Sequence, residues 1–117
     1  MKVSEFASLL FEIEVVTHIA HLQTTSFAQH MALNDIYQGI VDHRDSFIES
    51  YQGKYGIITG YTTTSPKEGI DPVTYLEASG KQIEDFRLTL TCGYLQQICD
   101  DILELINSTL YKLKFLS

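Results

Sequence analysis

The chain has 117 residues, 44% of them hydrophobic and 20% charged. That length supports one domain with one core, and so high an apolar fraction excludes a disordered chain. Eight Lys and Arg against fifteen Asp and Glu leave a formal charge of −7, which opposes DNA binding because phosphate contacts require cations. The same charge suits a collector of cations and is equally a common solubility feature. No apolar run approaches the ~20 residues of a membrane span, and Met1-Lys2-Val3-Ser4-Glu5 lacks the basic-then-apolar order of a secretion signal, so a soluble cytoplasmic protein is expected.

Phe6, Leu9, Leu10, Ile13, Val16 and Ala20 recur at three- and four-residue steps, which predicts an amphipathic helix starting near Ser4. Its stripe turns more polar at Thr17 and His18. The polar run Gln23-Thr24-Thr25-Ser26 predicts a turn. A second helix opens at Ser26, with Gln29 three residues on as a capping box, and runs to about Tyr51. Its expected core face is Phe27, Met31, Ile36, Ile40, Phe47 and Tyr51, and Gly53 and Gly56 are expected to end it.

From Lys54 to Ile70 the periodicity gives way to Gly, Thr, Ser and Pro. A loop of that length inside a compact domain has a task, and a crossover joining two parallel helices of a bundle is one. A short hairpin over Tyr55 to Thr64 is the competing reading. Asp71 before Pro72 predicts the start of a third helix, continuing through Tyr75, Leu76, Ile83 and Phe86. A fourth is expected from about Thr91 to Phe115, with Leu95, Ile98, Ile102, Leu105, Ile106, Leu110 and Leu113 inward. Only Gly93 marks a break between the two, so one long bent helix is the alternative. Cys92 and Cys99 lie about 10 Å apart along this helix, too far for a disulfide, and are expected as buried thiols.

Four residues carry chemistry. His18 and His30 stand twelve apart, and Asp45 and Glu49 form an acidic i, i+4 pair, a donor set that divalent iron accepts. On one helix His30 and Asp45 would be roughly 22 Å apart, so one ion cannot touch both within a chain. Two antiparallel copies across a two-fold axis would bring the histidine end of each to the carboxylate end of the other. His21, one turn after His18, is expected to face solvent or an interface, and His43 to support the site or an interface.

The stretch from His18 to Glu49, with Asp42-His43-Arg44-Asp45-Ser46-Phe47-Ile48-Glu49, resembles the ferroxidase motif of the Dps-like ferritins, which protect DNA during starvation. The ending Leu110-Tyr111-Lys112-Leu113-Lys114-Phe115-Leu116 resembles that family's last helix, with Tyr111 where tryptophan is usual. The resemblance implies an all-α, ferritin-like four-helix bundle over residues 1–117, with a long crossover between helices 2 and 3. It also implies a hollow dodecamer that oxidises Fe(II) with O2 or H2O2 and stores Fe(III). His18 and His30 of one subunit would meet Asp45 and Glu49 of its mate, with Asn34 where a carboxylate ligand is usual. The lysine-rich arm of DNA-binding members is absent. The segment His21 to His30 also resembles a group of small bacteriophage-encoded proteins. Two readings from another class remain: a non-catalytic helical oligomer, virion-associated or an interaction protein, with a vestigial metal site, and structural Zn held by the same residues.

Overall fold

The computed structural model describes residues 1–62 and 67–117. Its elements are α1 (Val3–Gln23), α2 (Phe27–Tyr55), α3 (Pro72–Arg87) and α4 (Gly93–Phe115). The architecture is all-α, with no strand among the described residues, so the hairpin reading of 55–64 fails over its described part. Residues 63–66 lie outside the described residues.

α1 and α4 each pack against both α2 and α3, which places α1 diagonal to α4 in a four-helix bundle. Side-chain contacts fix the directions. Phe86, near the end of α3, stacks on Phe6 near the start of α1 at 4.2 Å, and the Tyr75 hydroxyl donates to Glu12 at 2.8 Å. α3 therefore runs opposite to α1 and parallel to α2, and the connection between α2 and α3 must travel the length of the bundle. It runs over α1: Gly60, at φ 94°, lies against Ser4, the Thr62 amide donates to Ser8 Oγ at 3.0 Å, and Lys67 pairs with Glu12 at 3.7 Å. Ser4 and Ser8 are buried for this reason, although they lie off the apolar stripe of α1.

α4 runs antiparallel to α2, with Leu105 against Gly39 and Lys112 paired with Asp35 at 3.1 Å. Gly39 permits the close approach, since a Cβ there would stand 3.0 Å from Leu105 Cδ2. The aromatic centre is Phe6, Phe47 and Phe86, surrounded by Leu10, Ile13, Ile36, Ile83, Ile102 and Ile106. Cys92 and Cys99 are free and buried, as expected.

Several boundaries differ from the sequence reading. α2 passes through Gly53 and ends at Gly56, whose φ of 102° is the left-handed stop. The break between α3 and α4, at Leu88 to Cys92, is where the sequence reading expected it, and the one long bent helix of the alternative is not formed. The box at Ser26 is half formed. Ser26 Oγ accepts from the Gln29 amide at 3.2 Å, but the Gln29 side chain accepts from Thr24 Oγ1 at 2.7 Å instead of reaching back to Ser26. Phe27 and Met31 are not core. The inward face of α2 is Ala32, Leu33, Ile36, Ile40, Arg44 and Phe47, and Phe27 and Met31 fall about 120° and 160° round the helix from Leu33, on its outer side.

Candidate functional site

The turn between α1 and α2 gathers three of the four histidines. His21 Nδ1 lies 2.7 Å from the His30 carbonyl oxygen, and His30 Nδ1 lies 2.8 Å from the His21 carbonyl oxygen. A carbonyl only accepts, so both Nδ1 atoms carry hydrogen and donate. The His21 carbonyl is one of the last four of α1, which have no partner within the helix, so the His30 imidazole caps α1 from the neighbouring helix. The two rings stack at 3.7 Å with 20° between planes, and His18 stacks on Tyr37 at 3.9 Å with 3° between planes.

This arrangement corrects the expectation for His21, which is buried and forms half of a reciprocal lock. Its signal in the sequence was the nine-residue gap to His30 across a predicted turn. With Nδ1 protonated, a neutral ring offers a metal only Nε2, whose lone pair lies in the ring plane. Nearly parallel planes 3.7 Å apart do not aim the His21 and His30 lone pairs at one ion.

The carboxylates lie elsewhere. His30 and Asp45 share the continuous α2, roughly 22 Å apart at about 1.5 Å per residue. Arg44, buried to 7% exposure, is ion-paired with Glu14, donates from Nε to Asp45 at 3.1 Å, and lies over the Phe11 ring at 4.1 Å. A guanidinium beside Asp45 opposes a metal cation there. Asn34 Oδ1 accepts from Tyr37 Oη at 3.2 Å and Gln38 Nε2 at 3.3 Å. Glu49 is exposed, and His43 lines an open cleft between α2 and α4 with Asp101, Glu104, Leu105 and Ser108. Among the described residues, no three His, Cys, Asp or Glu of one chain form a group able to hold a metal ion. Also among them, no helix is long and apolar enough to cross a membrane.

Two groups respond strongly to burial. The Cys99 thiol is pushed up to about 12 by burial with Asp100 nearby. Burial and the bond to Glu12 raise the Tyr75 phenol well above its ordinary value.

A family model described as a family of unknown function (DUF5856) matches residues 21–113. The chain belongs to this family. It is also 35% identical over 65 residues to an uncharacterized 14.6 kDa protein in the mobD-ri intergenic region of Enterobacteria phage T4, covering 56% of this chain. The matched stretch spans about half of that relative, 49% of its length. No solved structure matches.

These findings overturn the resemblance to Dps-like ferritins, since the matching family is a different one and the relative is a phage protein with no ferritin description. The spacing from His18 to Glu49 is that of one tight turn followed by one long helix, and any chain with that geometry can carry it. The resemblance to phage-encoded proteins, drawn from His21 to His30, is the one in line with these matches.

Proposed function

We propose that this protein is a non-catalytic helical module that acts by association, in the role of a phage-type interaction or virion-associated component. What carries the reading is the employment of the ligand candidates in the fold: both His21 and His30 donate to backbone carbonyls, and Arg44 ties Asp45 beside Glu14. The phage relative supports it from outside the chain. A second reading retains Fe(II) oxidation by O2 or H2O2 at a cross-chain site. It is favoured by the exposure of His18, Asp45 and Glu49, which a second copy could reach.

Aerobic Fe(II) oxidation followed by absorbance, with metal analysis of the purified protein, decides between them. The expected result is oxidation at the rate of buffer alone, no stoichiometric iron or zinc, and no change in His18→Ala or Glu49→Ala. Turnover above buffer that is lost in both variants would establish the iron reading. Bound zinc without turnover would make the site structural.

A further inference from the structure

The end of the bundle where α1 begins and α2 and α3 finish holds a solvent-open cleft of about 270 Å³. Val3 of α1, Tyr51 and Tyr55 of α2, Phe86 of α3, and Leu90 and Thr91 of the turn before α4 line it. Its α2 wall continues the aromatic core outward: the Tyr51 ring lies 6.1 Å from Phe47, and the Tyr55 ring 4.8 Å from Tyr51. Tyr55 is half exposed, so this row of rings ends in open space. A cation stands beside its last member. Lys54 Nζ is 5.6 Å from the Tyr55 ring centroid and 6.0 Å from that of Tyr94. Arg44, Lys67, Lys81, Arg87, Lys112 and Lys114 each pair with a carboxylate, but among the described residues Lys54 does not, in a chain with fifteen acids for eight Lys and Arg. Three acids close to the cleft in the chain are engaged elsewhere: Glu5 accepts from the Lys2 amide, Asp85 pairs with Lys81, and Asp100 pairs with Arg87.

We infer that this cleft binds a small molecule made of one planar aromatic ring and an anionic group, a carboxylate or a phosphate monoester. The volume sets the size: a cavity of about 150 Å³ holds benzene, so 270 Å³ takes one ring with a short chain. The walls set the shape, because tyrosine and phenylalanine rings gain from an offset or edge-on aromatic neighbour beyond the area they bury. Lys54 sets the charge: an acid group that extends past Tyr55 meets an ammonium group with no carboxylate to displace. The net charge of −7 acts weakly at this point, since exposed charges more than about 8 Å away are screened at physiological salt. A cavity of about 290 Å³ at the opposite end of the bundle differs in both features. Val16, Ile19, Ala20, Ile70 and Pro72 give it aliphatic walls, and its lysine, Lys67, already pairs with Glu12.

Titration of the full chain with 3-phenylpropionate and, separately, with phenyl phosphate, followed through the backbone amide signals in NMR, tests the inference and tells the two anions apart. Saturable shifts are expected at Tyr51, Tyr55, Phe86 and Thr91 with at least one of the probes, with millimolar affinity for so few atoms. Uncharged 3-phenylpropanamide should bind more weakly than the acid. Lys54→Met should weaken the anionic probe about fivefold and leave the amide unchanged, as one exposed charge would. Tyr55→Ala should weaken acid and amide alike, about tenfold. Both side chains are at the surface, so the helical circular dichroism signal should stay that of the wild type. Lys81→Met, whose cation pairs with Asp85, should change nothing. No saturable shift with either probe, shifts that avoid the cleft, or an acid that binds Lys54→Met as well as the wild type would overturn the inference. Ligand binding at this cleft is separate from the association reading, and neither result decides the other.

Discussion

At His21 and His30 one pair of imidazoles does the work that a glycine or a polar cap does at other helix ends. Each ring donates from Nδ1 to the other's backbone carbonyl, and the buried stack ties the end of α1 to the second turn of α2. Removing either ring breaks one bond and part of the stack. His21→Ala and His30→Ala should each lower stability by about 1–3 kcal/mol in urea unfolding. The double variant should lose clearly less than the sum, because each single change already opens the lock. Losses that simply add would mean that the two rings contribute independently. These residues were visible as candidates because histidine is scarce in the chain, but their role was not. Twelve residues from His18 and nine from His21 are both compatible with a turn, and only the backbone path of Thr24 to Ser26 selects His21 as the partner of His30.

At the scale of the helices, two glycines three residues apart, one in the last turn of α2 and one capping it, have opposite roles. Gly53 is helical, and a Cβ there would meet nothing within 4 Å. Gly53→Ala should therefore stabilise the protein by about 0.5–1 kcal/mol, through helix propensity and a less free unfolded chain. Gly56 has φ of 102°, where an L side chain is strained whatever the space around it. Gly56→Ala should cost about 1 kcal/mol or more. Thermal melts of the two variants, moving in opposite directions, check both. From sequence the two positions look alike, and glycine marks a stop only where the chain turns into the left-handed region. Capping was more legible at α3. There Asp71 accepts from the Thr74 amide at 3.1 Å ahead of Pro72, as the residue order predicts.

For the whole molecule, the contact that joins α1 to α3 also sets the response to alkali. Tyr75 reaches across to Glu12, and Cys99 is shut in the core of α4. Both groups stay protonated in the folded chain at pH values where the unfolded chain has lost those protons, because burial raises both, Cys99 from 9.0 to about 12. The unfolded state then binds fewer protons, so stability is complete below about pH 9 and falls as pH rises toward 12. Urea midpoints measured from pH 7 to 11 should decline over the upper part of that range, and Tyr75→Phe should flatten the decline. A flat wild-type profile would show that neither group is held protonated by the fold.

The sequence by itself determined four helices, the long connection after α2 and most of the core, because periodic apolar residues report which side of a helix is dry wherever the helix is regular. It also pointed to the parallel relation of α2 and α3, since a crossover is one task for a connection of sixteen residues, nine of them Gly, Thr, Ser or Pro. The tertiary structure alone decided what the polar residues do. Spacing along a chain is the same for a ligand, a cap and an ion pair. His30 caps α1, Arg44 holds Asp45 to Glu14, and Phe27 and Met31 face outward because of how α2 is rotated against its neighbours, a quantity that no single helix encodes.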